Sequence, residues 1–184
     1  DPDLAADLER LPFAQTPPLE PSRDGQVTVR LPADDGKPVY LHSRYQPLAE
    51  AETLVESQTR RRAPADSDME NEDLDSLCFL VAGLGLGYHA AEIERRFPRP
   101  LLLIAECDLA LIKTALCVTD LAAPIRERRV AFLTKADKSA VHARLRPIMT
   151  AVMLGLRFVI APHTQRVQAE FHRTMSRLLR DFVT

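Results

Sequence analysis

Residues 77–89, LCFLVAGLGLGYH, decide the fold of this chain. The first six are apolar and of strand length, which is typical of a strand buried on both faces of a sheet. Three glycines then alternate with leucines, and a helical pattern runs from Tyr88 to Phe97 before Pro98 ends it. A buried strand, a glycine turn and a helix, in that order, form the context in which a phosphate- or nucleotide-binding turn occurs.

Beyond this stretch the chain alternates strands with helices. Further segments of strand character lie at 101–105, 129–134 and 157–161. Helical patterns separate them, including one expected over 138–150, and a long helix is expected from Pro162 to about Val183. Such alternation implies crossover connections and a parallel sheet with helices on both faces. We therefore predict an α/β fold, with a Rossmann-like parallel sheet in the order 3-2-1-4 over residues 76–184.

The N-terminal part has a different pattern. Segments 27–31 and 38–42 alternate apolar and polar residues and lie beside Asp-Gly turn signals, so they predict a hairpin or small meander. A stripe of leucines near the start and a helical pattern after Pro47 predict flanking helices. Residues 1–62 are therefore expected to form a small N-terminal β unit with linking helices.

Residues 63–75 are expected to be an acidic linker between the two units, because six acids fall within ten positions. A metal-binding loop is the alternative, but the spacing lacks the glycine and final glutamate of a calcium loop. We predict no metal site. The charge is uneven, with 17 acidic and 8 basic residues in 1–76 against 9 and 16 in 77–184.

Composition excludes several classes of protein. Hydrophobic residues make up 46% and charged residues 27% of the 184 residues, as in globular domains. No apolar run approaches the roughly 20 residues of a membrane helix, and the net charge of -2 gives no pull toward nucleic acid. Three cysteines without a C-x-x-C pair predict a reduced, cytoplasmic protein. The start at Asp1 rather than Met suggests a piece of a longer chain.

The glycine turn fits two kinds of nucleotide site. Gly83, Gly85 and Gly87 form G-x-G-x-G, which is typical of S-adenosylmethionine methyltransferases, whereas Gly85, Gly87 and Ala90 form G-x-G-x-x-A, a variant of the dinucleotide fingerprint. Glycine permits positive φ and lets a ligand approach the backbone, and the next helix offers free N–H groups to an anion. The third possibility is that the glycines only pack the sheet against its first helix.

Both interpretations of the turn as a nucleotide site require an acidic residue after the second strand. Glu106 stands there, 21 residues after Gly85, and Asp108 is either a second ribose ligand or the N-cap of the next helix. The residues leave the ligand open between a nucleotide and S-adenosylmethionine, and the sequence contains no recognisable catalytic pair. The candidate binding residues are those of the turn, the helix start and the strand end, namely Gly83, Gly85, Gly87, Tyr88, His89, Glu106 and Asp108.

Several segments together resemble the N-terminal part of the motility-associated-factor (Maf) glycosyltransferase family. They are YLHSRYQP at 40–47 followed by Glu50-Ala51-Glu52, GLGLGYH at 83–89, Glu106-Cys107-Asp108 and Thr119-Asp120-Leu121. The resemblance spans about residues 19–184, and Gln46 departs from it where the family has an acid.

The resemblance implies a role in a larger bacterial protein. Members of the family transfer nonulosonic sugars, such as pseudaminic or legionaminic acid, from a CMP-activated donor to Ser or Thr of flagellin. Their catalytic domain resembles the archaeal diphosphokinase MptE and lies after the segment seen here. This chain is then expected to be an accessory, nucleotide-binding-like domain that is inactive alone. Its expected partner is that MptE-like domain, with flagellin as a candidate partner. A methyltransferase-like domain and a non-catalytic interaction module are the alternatives.

Overall fold

The N-terminal unit is a small antiparallel sheet between two helices. The computed structural model describes residues 1–60 and 78–183. The elements of this unit are α1 (Pro2–Arg10), β1 (Leu19–Pro21), β2 (Val27–Pro32), β3 (Pro38–Tyr40) and α2 (Pro47–Thr59). The strands pair in the order β1-β2-β3. The predicted meander is therefore confirmed, with β3 ending at Tyr40, two residues earlier than expected. The acidic linker over 63–75 lies outside the described residues.

The second unit is an α/β sheet. Its elements are β4 (Cys78–Ala82), α3 (Tyr88–Arg96), β5 (Leu101–Ala105), α4 (Leu109–Val118), α5 (Ala122–Arg126), β6 (Val130–Leu133), α6 (Lys138–Leu145), α7 (Met149–Leu154), β7 (Leu156–Ile160) and α8 (Ala169–Val183). The four strands are parallel and ordered β6-β5-β4-β7. This order confirms the predicted 3-2-1-4 arrangement and the Rossmann-like fold class.

Successive residues of β4 point to opposite faces of the parallel sheet, and each face has its own core. Phe79 and Val81 pack with apolar residues of α2, α3 and α4, whereas Cys78 and Leu80 pack with those of α6, α7 and α8. All five residues of β4 are buried, as the continuous apolar run predicts for a central parallel strand. None of the helices in the described ranges is long and apolar enough to cross a membrane.

Two predicted helices are interrupted. The helix expected over 138–150 ends at Leu145, and a 3-10 turn over Arg146–Ile148 leads into α7. Pro147 lies in this turn, where it lacks the N–H that would continue the helix. The helix expected from Pro162 is a 3-10 turn over Pro162–Gln165, and α8 begins only after Gln168, whose φ of 54° breaks helical geometry.

The N-terminal unit packs against the carboxyl edge of the parallel sheet. Leu41 and Ala51 share a buried cluster with Leu86 and Tyr88, which follow the end of β4. The Asp34 carboxylate accepts hydrogen bonds from the N–H groups of Gln168 and Ala169 at the start of α8, both of 2.9 Å. The two predicted units therefore share a core, and the carboxyl edge of the sheet is covered where the glycine turn lies.

Candidate functional site

The glycine turn connects the end of β4 to the start of α3. Gly83, Gly85 and Gly87 have φ angles of 78°, 54° and 87°, a region that other residues rarely adopt. Leu84 and Leu86 between them are completely buried. The turn therefore has the backbone geometry expected of a nucleotide-binding turn, but it lies inside the protein.

Side chains of the chain itself occupy the space beside the glycines. A Cβ at Gly83 would overlap Thr164 and lie 2.8 Å from Nε2 of His163. A Cβ at Gly85 would overlap Nε2 of His42 and lie 2.8 Å from its Cε1. Glycine is thus required at these positions because two imidazoles and a threonine methyl approach the backbone as closely as a ligand would.

Two of the turn's N–H groups donate hydrogen bonds to buried side chains. The Leu86 N–H donates to Nε2 of His42 over 2.7 Å, and the Leu84 N–H donates to Oε2 of Glu106 over 3.3 Å. In nucleotide-binding turns such backbone N–H groups face an anionic ligand. Here an imidazole and a carboxylate of the same chain accept these hydrogen bonds.

Glu106 and Asp108 have different roles after β5. Glu106 is 1% exposed and also accepts the N–H of Asp108 over 3.0 Å. Its burial raises the pKa of this carboxyl to about 7, although the hydrogen bonds it accepts favour the charged form. Asp108 caps α4, because its carboxylate accepts the N–H groups of Ala110 and Leu111. The structure thus gives Asp108 the second of its two predicted roles.

Tyr88 and His89 open α3 and face the N-terminal unit. The Tyr88 hydroxyl donates to the carbonyl of Val27 over 2.9 Å, so it connects α3 to β2. His89 is 1% exposed, and neither of its ring nitrogens has a hydrogen-bond partner in the described part of the chain. Burial lowers the pKa of His89 to about 4, so the imidazole is neutral at pH 7.

Three histidines from separate segments meet beside the turn. The ring centroid of His42 lies 5.3 Å from that of His89 and 6.4 Å from that of His163. Burial is the main cause that lowers all three pKa values, that of His163 to about 3, and repulsion from the neighbouring imidazoles lowers those of His42 and His163 further. Sequence reasoning missed this cluster, because residues so far apart along the chain share no periodic pattern.

Open space at this edge of the sheet lies beside the turn rather than on it. A cleft of about 420 Å³ lies at the carboxyl ends of β4 and β7, with Ala82, Ile160 and His172 among its lining residues. This is the topological switch point, since the chain runs from β4 to β5 and β6 on one side and then crosses to β7 on the other side of β4. Within residues 1–60 and 78–183, no group of three or more His, Cys, Asp or Glu side chains is placed to hold a metal ion.

Comparison with known proteins gives one fold-level match. No protein-family model matches the chain, and no curated protein sequence matches it. A solved structure, that of the Maf glycosyltransferase from Magnetospirillum magneticum AMB-1, superposes with a TM-score of 0.59 at 16% sequence identity. The match covers 99% of this chain and 33% of that protein, so the chain spans about a third of its length. At this identity the comparison shows a shared fold, and the chain has the Maf-like α/β fold.

Proposed function

We propose that this chain is the N-terminal accessory domain of a Maf-type protein glycosyltransferase. The observation that carries the proposal is the structural match, which includes nearly all of this chain and a third of the Maf enzyme. The motif segments at 40–47 and 83–89 support it independently of the fold. In the proposal, the parent protein acts in the bacterial cytoplasm and transfers a nonulosonic sugar from a CMP-activated donor to flagellin, and a separate MptE-like domain catalyses the transfer.

The burial of the glycine turn supports an accessory rather than a catalytic role. Transfer needs a donor pocket, a positioned acceptor hydroxyl and a group that takes its proton. His89, the imidazole that follows the turn, is 1% exposed and cannot reach a protein acceptor. Nucleotide binding by Gly83, Gly85 and Glu106 remains a prediction, and it requires His42 to leave the Leu86 N–H.

The first experiment tests the chain alone. The purified chain is incubated with flagellin and a CMP-nonulosonate, and intact-protein mass spectrometry measures the added mass. We expect no modification above the enzyme-free control. A parallel thermal-shift screen uses CMP, a CMP-sugar, ATP, NAD and S-adenosylmethionine, because a ligand that binds only the folded state raises the melting temperature. Modified flagellin would contradict the accessory role, and stabilisation by S-adenosylmethionine alone would favour the methyltransferase alternative.

The second experiment tests the accessory role directly. The remainder of the parent protein, expressed without the present 184 residues, is assayed for flagellin modification with and without this chain added. We expect addition of the chain to raise the yield of modified flagellin. The matched control is a chain with Gly85→Val, because a Cβ at this position would overlap His42 and disturb the turn. Equal yields with and without the wild-type chain would contradict the proposal.

A further inference from the structure

The outer face of the N-terminal sheet carries arginine and tyrosine side chains. Val29, Leu31 and Val39 of this sheet point inward, to the buried cluster that it shares with residues beyond the glycine turn. Side chains alternate along a strand, so Arg30 and Tyr40, which lie opposite each other on β2 and β3, are on the outer face. The proposed function assigns no role to this face.

Two further arginines lie over tyrosine rings beside this pair. The guanidinium carbon of Arg44 is 4.9 Å from the ring centroid of Tyr40, and that of Arg23 is 4.6 Å from the ring centroid of Tyr45. The Arg23 N–H donates to the Arg44 carbonyl over 3.0 Å, which joins the two loops. The negative face of an aromatic ring attracts a cation, so each guanidinium is held in place at the surface, where both arginines are exposed.

Two carboxylates near these side chains have other partners. Oε1 of Glu20 lies 3.3 Å from Nε of Arg30, and its Oε2 accepts a tyrosine hydroxyl of the same face. Asp24 accepts hydrogen bonds within its own turn. Among the described residues, the Arg23 and Arg44 guanidiniums contact tyrosine rings and no carboxylate. Their N–H donors are therefore available to acceptors from another molecule.

We infer that this arginine–tyrosine face, made of Arg23, Arg30, Tyr40, Arg44 and Tyr45, binds an acidic segment of a partner protein. A guanidinium donates paired hydrogen bonds to a carboxylate, with a geometry that an ammonium group does not match. Arginine and tyrosine are also the residue types enriched at protein interfaces and among their strongest contributors. The inference goes beyond the proposed function and does not depend on it.

The charge of the chain favours a short acidic segment over a nucleic acid. Residues 1–76 hold 17 acidic and 8 basic side chains, so the N-terminal part as a whole repels a polyanion. Nucleic-acid binding draws its affinity from the neutralisation of many phosphates, which this part of the chain does not supply. A protein segment with a few carboxylates needs only short-range contacts with Arg23 and Arg44.

A second arginine-bearing surface of the chain serves as an internal control. Arg173 and Arg177 are exposed on α8, and within the described residues neither lies over an aromatic ring. Arg173 also pairs with Glu170 over 2.7 Å. A mobile arginine loses rotamer entropy when it binds, whereas one already held on a tyrosine ring loses less. An acidic segment should therefore prefer the arginine–tyrosine face to α8.

The test is a titration of the ¹⁵N-labelled chain with a capped peptide of alternating Glu and Gly, monitored through the amide and arginine Nε–H signals. The control peptide has Gln in place of Glu. We expect saturable shifts at Arg23, Arg44 and Tyr45 with the acidic peptide, weaker at higher salt, and none with the control. Shifts of equal size at Arg173 and Arg177 would mean general attraction of charge and overturn the inference. Tighter binding of single-stranded RNA of the same length at this face would overturn the choice of a protein partner.

Variants of single side chains sharpen the test. Arg23→Ala and Arg44→Ala should each weaken peptide binding by about two- to fivefold, as expected for exposed ion pairs. Arg177→Ala should bind as the wild type does, and Tyr45→Phe should bind better than Tyr45→Ala because it keeps the ring under the guanidinium. The amide spectra of the variants without peptide report whether they fold. Unchanged binding by a folded chain with both Arg23→Ala and Arg44→Ala overturns the inference, and sugar transfer has no bearing on this readout.

Discussion

The Leu86 N–H donates a hydrogen bond of 2.7 Å to Nε2 of His42, across 44 positions of sequence. Leu86 lies in the glycine turn after β4, and His42 follows the last strand of the N-terminal sheet. Both residues are buried, so water cannot satisfy this N–H if the imidazole leaves. The geometry of the turn and the packing of the N-terminal unit against it therefore depend on each other.

Gly85→Ala should destabilise the chain more than a glycine substitution in an open turn. Positive φ costs an L-residue about 1–2 kcal/mol, and here the new Cβ would also overlap His42. Displacing His42 leaves the buried Leu86 N–H unpaired, at a further cost of about 1–3 kcal/mol. Urea unfolding at pH 7 measures the difference in the free energy of unfolding.

The control for this substitution is Gly36→Ala. Gly36 has a φ of 78°, but no atom lies within 4 Å of a Cβ built on it. It therefore measures the cost of positive φ without the overlap. If both substitutions lowered the free energy of unfolding equally, His42 would be able to move aside without cost. The close packing of the turn would then not constrain residue 85.

The chain should lose stability as the pH falls below about 6.5. Burial lowers the folded-state pKa values of His89 to about 4, of His163 to about 3 and of His172 to about 4. The unfolded chain titrates near 6.5, so between about pH 6.5 and 4 it binds more protons than the folded chain, and the free energy of unfolding decreases as the pH falls. Glu106, whose folded-state pKa is raised to about 7, has the opposite effect on stability between about pH 7 and 4.5. A single carboxyl does not outweigh three histidines.

Urea unfolding from pH 7.5 to 4.5 measures this dependence. His89→Leu removes one buried imidazole whose nitrogens lack partners, so it should flatten the pH dependence. His142→Gln replaces an exposed histidine of α6 and serves as the control, with the wild-type slope. If the free energy of unfolding of His89→Leu changed with pH as steeply as that of the wild type, His89 would not contribute to the pH dependence.

Asp108→Ala should destabilise the chain by about 1 kcal/mol, whereas Asp108→Asn should cost little. The Asp108 carboxylate accepts the Ala110 and Leu111 N–H groups, and asparagine caps a helix about as well as aspartate does. The free energy of unfolding in urea compares the two variants with the wild type. An Asp108→Asn loss as large as that of Asp108→Ala would show that the negative charge, rather than the cap, matters here.

Asp34→Ala should destabilise the chain by about 1–2 kcal/mol. The Asp34 carboxylate caps α8 through the Gln168 and Ala169 N–H groups, although it belongs to the turn between β2 and β3. The neighbouring Asp35→Ala is the matched control, because among the described residues the Asp35 carboxylate contacts only Lys37 of its own turn, through the Lys37 N–H and an ion pair with Lys37 Nζ. Thermal unfolding at pH 7 should lower the melting temperature for the first substitution and leave it nearly unchanged for the second.

Pro147 and Gln168 account for the two helices that are shorter than the sequence patterns predict. Pro147 lies inside a run of helical periodicity. A proline inside such a pattern indicates by itself that the helix ends or kinks there. Gln168 gives no such warning, because the Asp34 carboxylate, which accepts the N–H groups of Gln168 and Ala169, comes from a turn 134 residues earlier in the chain. The first break was therefore predictable from the sequence, and the second was not.

The sequence by itself determined the parallel sheet, its order and the glycine turn, because buried strands, helical periods and turn residues are local patterns that need no partner to be recognised. Only the tertiary structure decided what lies against the turn. His42, His163 and Thr164 reach it from segments about 40 and 80 residues away, and they occupy the side of the backbone where a nucleotide would lie. Such contacts depend on how separate elements pack, and packing between distant segments leaves no period or motif in the chain.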